Sequence, residues 1–459
     1  MPRLTLGQRL RRARQAAGLT QEALGNPDLT KGFISLLEHD RAKPSVTTLE
    51  RLAARLGRPV SYFVDGEDAV SGKVLDVLAS RGRTELTRRR YEAAYGVFLE
   101  LQPLAESAHH ARAAMYAALG LGEAALGLRR LEEARAHLEE ALRRGRGAGD
   151  RLVECRALHG LATVEHRLSH FPRAGALYRE ALGVLPALGG AEPNLGGEIH
   201  LYLGTVLGRM GHVDEAVDAY TRAREIFEAA ARPERVGEAL MGLGNVLSNS
   251  GELDTALGLY ERARGLFEQY EDLQSTAYVR NSLGMLLIQA GRPREALEHF
   301  GVSLAIKQRL HDLVGECRTL TELARCHFIC GERERARGYA DQAIARSREA
   351  GQPDEEARAR IVLGVLAAER GEHAAAAGEM QRAAAQCQRS GMMPELVTIY
   401  HELARLASGQ GQYKEASAYH EQAFEALRAV KPNDVVAALH LADLAGLRAE
   451  AAFGSRPRE

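Results

Sequence analysis

The residues best suited to metal or thiol chemistry lie in one short stretch of this 459-residue sequence. Cys326, His327 and Cys330 follow each other closely, and Cys317 precedes them. On a helix Cys326 and Cys330 would share one face, where two thiols could pair or hold a metal ion. Zinc would require a fourth ligand, however, and cysteine is a common small core residue. We therefore interpret these cysteines as core residues and predict neither a metal site nor a cofactor.

Other patterns of catalytic residues are absent from the sequence. It contains no phosphate-binding glycine loop, no nucleophile elbow and no paired carboxylate motif, and its remaining histidines are scattered. We therefore predict that the protein is not an enzyme.

Charge is distributed unevenly along the chain. The net charge is only −1, but residues 1–64 contain eleven Lys and Arg against five Asp and Glu. This segment therefore carries +6, which leaves −7 for the remainder. A small basic segment joined to a large acidic one suggests that the first part binds a polyanion.

The overall composition is ordinary for a soluble globular protein, with 45% hydrophobic residues, 26% charged residues and a mean hydropathy of −0.26. No apolar run approaches the roughly 20 residues that a membrane helix requires, and the basic start has no signal-peptide core. Five cysteines, a low and odd number, favour a reducing compartment. We expect a cytoplasmic protein without a membrane partner.

The spacing of capping and apolar residues predicts four short helices in the basic segment. Thr5, Thr20, Thr30 and Ser45 are placed to cap these helices, and residues 59–64 form a closing segment. Four or five such helices in about 60 residues make a compact helical domain.

Two stretches, LTQEAL at 19–24 and FISLLEHDRAKPSVTTLERLAARLGRPVSYF at 33–63, resemble the XRE-type, lambda-repressor-like helix-turn-helix family. The resemblance implies that residues 30–37 form a recognition helix in the major groove of double-stranded DNA, and that Arg14 pairs with Glu38. The DNA contacts that it implies are Gln21, Thr30, Lys31, Gly32, Phe33, Ser35, Arg41 and Lys43. A core position for Phe33, and plain solvated charge for the three cations, are the alternatives.

One stretch departs from the family pattern. Gly25-Asn26-Pro27-Asp28 is one residue shorter than usual, and proline cannot continue a helix interior. We therefore expect the second helix to end here, with a remodelled turn before the recognition helix.

Residues 75–430 contain a pattern with a period of 40 residues. It consists of Leu-Gly, a second glycine about seven residues later and then an alanine, as in LGTVLGRMGHVDEAVDAYTRA at 203–223. The repeating alanines are Ala94, Ala134, Ala174, Ala216, Ala256, Ala296, Ala336, Ala376 and Ala416. Their spacing is 40 residues, or 42 in one case, and it predicts nine repeats.

This pattern resembles the tetratricopeptide repeat, a pair of antiparallel helices that stacks into a superhelix. HEAT repeats have a similar period but lack this order of residues. The resemblance implies an all-α fold, in which a small helix-turn-helix domain precedes a right-handed α-solenoid of about nine helix pairs. The small residue after Leu lets the two helices approach closely, and the second glycine, as at Gly211, supplies the turn conformation.

The expected domains are the helix-turn-helix domain at 1–66, a linker at 67–74 and the repeat array at 75–430. Apolar residues in 431–453 suggest a helix that caps the open end of the array, and 454–459 form a tail. Arrays of this kind present an extended concave surface lined by the first helix of each pair.

Amides and arginines are frequent at the inward positions of the middle repeats. Asn245 and Asn249 lie four residues apart, on one face of a helix. An amide offers both a donor and an acceptor, which suits the backbone of an extended peptide, and arginine suits a carboxylate. The predicted ligand contacts are Arg209, Asn245, Asn249, Asn281, Gln289 and Arg325. Ordinary solvated polar surface is the alternative.

The whole architecture resembles the peptide-sensing transcription regulators grouped as RRNPP. The resemblance implies a DNA-binding regulator that acts as a homodimer, with an array that senses a short peptide in its concave groove. A protein-interaction scaffold, localised by its helix-turn-helix domain, is the alternative. A helix-turn-helix fold that no longer binds DNA is a third reading, and the charge of +6 counts against it.

Overall fold

A computed structural model describes residues 5–58, 63, 67–108, 110–190 and 192–430. The described elements are 22 α-helices and one 3-10 helix, with no strand among them. The prediction of an all-α fold is confirmed. The described residues divide into two compact units, one drawn from Met1–His170 and Arg179–Gly189 and the other from Phe171–Tyr178 and Gly190–Glu459.

Four short helices form the N-terminal domain. They are α1 (Leu6–Ala16), α2 (Gln21–Gly25), α3 (Lys31–Glu38) and α4 (Val46–Arg55). The predicted caps are confirmed, because the side chains of Thr5, Thr20, Thr30 and Ser45 each accept a hydrogen bond from the backbone amide three residues later. Each cap satisfies an amide that has no partner inside its helix, and so fixes where the helix begins.

Apolar side chains from all four helices form one core. Leu10, Ile34, Leu52 and Phe63 are fully buried in it. Apart from Phe63, the predicted closing segment at 59–64 lies outside the described residues.

Helices α1 and α3 contact each other at Gly7. A Cβ atom there would lie 2.3 Å from the carbonyl oxygen of Leu37 and 2.8 Å from backbone atoms of Glu38. We expect Gly7→Ala to lower the stability of this domain by about 2 kcal/mol, because the two backbones must move apart. Hydrogen exchange of the α1 and α3 amides would measure the loss.

Gly32→Ala on α3 is the matched control for Gly7→Ala. A Cβ atom at Gly32 meets nothing within 4 Å. Alanine is also the better helix former, so unchanged or higher stability is expected. An equal loss in both variants would show that the contact at Gly7 is not the cause.

Eighteen further helices, α5–α22, form nine consecutive pairs in the part of the chain that the structure describes. In chain order the pairs are Glu67–Thr87 with Tyr91–Ser107, Ala111–Gly127 with Leu131–Ala148, Arg151–Arg167 with Phe171–Val184, Pro193–Met210 with Val213–Ala229, Pro233–Asn249 with Leu253–Gln269, Leu273–Gln289 with Pro293–Arg309, Leu313–Ile329 with Arg333–Glu349, Pro353–Glu369 with His373–Ser390, and Met393–Gly409 with Tyr413–Ala429. A 3-10 helix, Leu185–Leu188, follows the third pair. The prediction of nine helix pairs is confirmed.

Two of the predicted domain limits concern the two ends of the repeat array. Residues 67–74, assigned to a linker, are the first residues of helix α5, so any linker there is helical. The predicted capping helix at 431–453 and the tail at 454–459 lie outside the described residues. These domain limits stay predictions.

The repeating alanines all lie in the second helix of their pair. Each is almost fully buried, with at most 4% of its surface exposed. A side chain this small suits the close packing of one helix against the next. The alanines therefore mark the same packing position in every repeat.

The glycine that follows Leu makes room for a side chain of the second helix of its pair. A Cβ atom on Gly244 would lie 2.7 Å from the ring of Tyr260, and one on Gly284 would lie 2.7 Å from the ring of Phe300. Both rings belong to the second helix of the same pair. In these two pairs the space left by the missing methyl group is therefore filled by an aromatic side chain. At Gly122 a Cβ atom would lie 2.6 Å from the Leu138 side chain and 3.2 Å from the Leu138 backbone nitrogen, so there the helices also approach closely, as predicted.

The turn inside each pair contains one residue with positive φ. The last six pairs have glycine there, from Gly211 to Gly411, with φ between 71 and 88°, which confirms the predicted turn role. The first three pairs instead have Arg89, Arg129 and Ser169 in the same conformation, with φ of 57 to 62°. Only glycine adopts this conformation without steric cost.

We expect Ser169→Gly to raise stability by about 1 kcal/mol, because it removes this steric cost from the turn. Gly371→Ala is the reverse experiment: φ at Gly371 is 76° and its Cβ would meet nothing, so strain alone should lower stability by a similar amount. Urea unfolding of both variants measures the two effects. Two changes of the same sign would contradict the assignment.

Candidate nucleic-acid interface and ligand face

Helix α3 turns one face away from the N-terminal core. Lys31 and Gly32 are exposed on it, Ser35 is half-buried, and Thr30 caps the helix through the amide of Phe33. Arg41 and Lys43 are exposed just after the helix. The structure therefore places these predicted contacts along one short, cationic stretch.

Phe33 differs from the other predicted contacts on α3. Its side chain is half-buried and packs against the core that contains Ile34 and Leu37. The Phe33 ring therefore contributes to the core, in agreement with the alternative of a core position for this residue.

Two exposed residues of α3 and its end were missed from the sequence. Gly32, Ser35, Leu36 and His39 share a face, at the spacing of residues one and two turns apart. Leu36 is 45% exposed. His39 is exposed, and its Nδ1 donates to the carbonyl oxygen of Ser35 at 2.8 Å. The four-residue spacing from Gly32 was the signal that could have identified Leu36.

A buried carboxylate ties three helices of this domain together. Glu38 receives hydrogen bonds from Arg14 at 2.5 and 3.1 Å and from Gln21 Nε2 at 2.8 Å. Burial alone would raise the pKa of Glu38, but the bonds from Arg14 and Gln21 outweigh it and hold that pKa below its usual value. The predicted pairing of Arg14 with Glu38 is confirmed. Gln21, predicted as a phosphate contact, is half-buried and bonded to Glu38 in this state.

The turn after α2 is held by an arginine of α4. Helix α2 ends at Gly25, as the proline at position 27 predicts. Arg55 donates to the carbonyl oxygens of Leu24 and Gly25 at 3.0 and 3.1 Å and pairs with Asp28 at 2.8 Å. The side chain thus satisfies carbonyls that a longer helix would have satisfied.

In the array, ion pairs and hydrogen bonds join the first helix of one pair to the first helix of the next. Among these ion pairs are Arg156–Glu123 at 3.0 Å, Arg235–Glu198 at 2.9 Å, Arg318–Glu355 at 3.4 Å and Arg358–Glu395 at 2.9 Å. We call the inward positions of the first helices α11, α13, α15 and α17 the ligand face. It includes all six of the predicted ligand contacts.

Three of these six residues are exposed: Arg209, Asn245 and Asn249. The Oδ1 atom of Asn245 accepts a hydrogen bond of 2.6 Å from the hydroxyl of Tyr260. Burial raises the pKa of Tyr260, so this hydroxyl stays protonated and donates. The amide nitrogen of Asn245 is therefore the group available to a ligand.

The other three residues are engaged by neighbours. Gln289 is half-buried and accepts a hydrogen bond of 3.0 Å from Ser248. Arg325 pairs with Glu322 at 2.9 Å, while its Nε is buried without a partner among the described residues. Asn281 is buried, contrary to the open position expected for it, and its Oδ1 accepts from Thr319 at 3.2 Å.

Large apolar side chains also lie on this part of the array. Tyr278 and Met285, seven residues apart on α15, are 42% and 43% exposed. Met285 occupies an inward position, whereas Tyr278 was missed. Its spacing of three residues before Asn281, on the same helical face, was the available signal.

The cysteines lie mostly in the core, as interpreted. Cys317 and Cys326 are fully buried, and Cys326 donates to the carbonyl oxygen of Pro293 at 3.0 Å. Burial raises the pKa of Cys326 to about 12, so its thiol is unreactive near neutral pH. Within the described residues no three His, Cys, Asp or Glu side chains are grouped as metal ligands would be. Nor does this part of the chain contain a helix long and apolar enough to span a membrane.

Known families match both parts of the chain. A helix-turn-helix domain family matches residues 5–61. Tetratricopeptide repeat families match residues 111–187, 235–309, 331–390 and 396–430.

Individual proteins are similar over a portion of the chain. The immunity repressor protein of Bacillus phage phi105 is 29% identical over 111 residues, which are 23% of this chain and 77% of the repressor. The crystal structure of apo RapI has a TM-score of 0.64 at 15% identity and covers 77% of this chain and 98% of its own. The apo quorum sensor NprR from B. thuringiensis has a TM-score of 0.60 at 14% identity, with coverages of 77% and 99%.

The fold and these matches define a class: a protein with an N-terminal helix-turn-helix domain and a C-terminal tetratricopeptide array. Within this class, the chain shares its fold with apo RapI and with the quorum sensor NprR.

Proposed function

We propose that this protein is a cytoplasmic DNA-binding transcription regulator, active as a homodimer, whose repeat array senses a short peptide. The observation that carries the proposal is the presence, in one chain, of a recognition helix with an exposed face and an array with exposed amides on its ligand face. A quorum sensor shares the array fold, which supports the sensing role.

The surface around α3 combines exposed positive charge with open space next to the helix. Lys31, Arg41 and Lys43 are exposed and can neutralise phosphates on either side of the major groove. A Cβ atom at Gly32 would meet nothing within 4 Å among the described residues, so a base-pair edge can approach the helix backbone closely. A symmetric dimer would then bind two half-sites about one helical turn of DNA apart.

The ligand part rests on donors and apolar surface close together. Asn245 and Asn249 can bond to a peptide backbone, and the Nε of Arg325 is a buried donor without an acceptor among the described residues. Tyr278 and Met285 offer apolar contact to peptide side chains. These groups suit binding, and we propose no catalytic role for them.

Ligand binding changes DNA affinity only if the ligand prefers one conformation of the array over another. The proposed signal is therefore a population shift that alters the placement of the two DNA-binding domains in the dimer.

Native mass spectrometry of the full-length protein, purified from its own cells, tests the proposal. A dimer with an additional mass of a few hundred to about two thousand daltons, fragmenting as a peptide, is the expected result. A stoichiometric complex with a folded protein would instead favour the scaffold function. Selection from a random pool of DNA duplexes tests the other half, and failure to enrich any sequence would contradict DNA recognition.

A further inference from the structure

A lysine occupies a core position of the sixth helix pair. Lys307 lies eleven residues after the repeating alanine Ala296 and is only 2% exposed. The same position holds Phe227 and Phe267 in the two preceding pairs, both fully buried. An apolar side chain is therefore enough to pack this position, and burying an ammonium group there costs free energy of folding. This cost calls for a reason other than packing.

The contacts of Lys307 are polar but not anionic. Its Nζ donates to the hydroxyl oxygen of Thr319 at 2.7 Å and lies 5.7 Å from the centre of the Tyr278 ring. Among the described residues no carboxylate lies within 4 Å of Nζ, so Lys307 forms no ion pair there. Its one strong hydrogen bond is therefore the bond to Thr319.

The bond from Lys307 sets the direction of the next one. An ammonium group can only donate, so the oxygen of Thr319 must accept from it. The hydroxyl hydrogen of Thr319 is then free to donate, and its oxygen lies 3.2 Å from Oδ1 of Asn281 and 3.0 Å from the carbonyl oxygen of Gly315. The hydroxyl has one hydrogen for these two acceptors, and its donation to Asn281 holds that amide with its oxygen towards the core.

The amide nitrogen of Asn281 then points the other way. It lies 3.7 Å from the sulfur of Met285, a side chain that is 43% exposed on the ligand face. A thioether is a weak acceptor, and methionine is flexible enough to move aside. The donor of Asn281 is thus covered by a side chain that a better acceptor can displace.

We propose that Lys307 and Thr319 are positioning residues for the ligand face, which hold the amide nitrogen of Asn281 ready to donate to a backbone carbonyl of a bound peptide. The peptide carbonyl replaces the Met285 sulfur as the acceptor. This inference rests on the proposed function, since it assumes that the ligand face binds a peptide. It explains why a buried asparagine can serve as a ligand contact.

The orientation of Asn281 can be tested without a ligand. In protein labelled with ¹⁵N-asparagine, the side-chain amide signals of Asn281 are assigned by their loss in Asn281→Leu. Thr319→Val, which keeps the shape but removes the hydroxyl, should shift these signals, and so should Lys307→Met. Thr319→Ser, which keeps the hydroxyl, should leave them in place. Unchanged signals in Thr319→Val would overturn the proposal, while the Asn249 signals report that the fold is intact.

The consequence for binding is tested with a phage library of random heptapeptides selected on the wild-type protein. We expect the selected peptides to bind Thr319→Val about tenfold more weakly and Thr319→Ser as well as the wild type. Equal affinity for all three proteins would overturn the positioning role alone. A library that enriches no peptide would overturn the peptide-sensing function and this inference with it, whatever the amide signals show.

Discussion

Replacing Lys31 and Arg41 together by glutamate is expected to weaken DNA binding about 100-fold or more. Each cation lost removes a phosphate contact, and the two carboxylates add repulsion from the phosphates, for a total of about 3 kcal/mol or more. Both side chains are exposed, so the fold should be unaffected within about 0.5 kcal/mol. Affinity is measured on a duplex selected by the wild type from a random pool.

The salt dependence of binding identifies the cause of this loss. The slope of log affinity against log salt should fall by about 0.9 for each phosphate contact removed. Arg262→Glu with Arg309→Glu, two exposed cations of the array, changes the net charge equally and is the matched control. Retained affinity in the Lys31 and Arg41 variant would place the DNA surface elsewhere. An equal loss of affinity in the control would show that net charge alone causes the effect.

The second large effect is expected for Lys307→Met, which should stabilise the array by about 2–3 kcal/mol at pH 7. Burial lowers the pKa of Lys307 to about 8, from 10.5 for an unperturbed lysine. Between these values the unfolded chain binds more protons than the folded one, so the wild type gains stability from this group as pH rises from about 8 to 10.5. Below pH 8 the full penalty is present, and methionine removes it.

The difference in unfolding free energy between Lys307→Met and the wild type is the quantity to measure, at several pH values in urea. Buried thiols such as Cys326 and Cys387, whose pKa values are raised to about 12, destabilise both proteins equally at high pH. The neighbouring charges of Asp312, Arg318, Glu322 and Glu355 are also common to both. The advantage of methionine should shrink steadily above pH 8. A constant difference would show that Lys307 does not titrate in this range, and Arg309→Met, at an exposed cation, should show no difference.

Local and periodic features of this protein could be predicted from its sequence. Caps such as Thr5 and Ser45 act within three residues of themselves, and the turn glycines and buried alanines recur at a fixed spacing. A pattern of this kind averages over nine repeats, so a single substitution does not hide it. The fold and the number of helix pairs follow from it.

Side-chain partners that are distant in sequence could not be predicted. Asn281 has the spacing of an open position, yet it is buried because Thr319, 38 residues later, bonds to it and Met285 covers it. Gln21 is likewise engaged by Glu38, 17 residues away. Both contacts depend on rotamers chosen by the neighbouring helix, and periodicity contains no information about rotamers. The left-handed turns at Arg89, Arg129 and Ser169 could not be predicted either, because they lack the glycine that marks this turn in the other pairs.

The left-handed residues other than glycine fall into two groups along the array. Arg89, Arg129 and Ser169 lie in the turns inside the first three pairs, whereas Ala231, Glu271 and His311, with φ of 52 to 56°, lie between later pairs. Strain held in the native backbone is released when a segment opens, so it lowers the free energy of local unfolding without weakening any contact. In the first group this strain favours separation of the two helices within a pair, and in the second group it favours separation of one pair from the next.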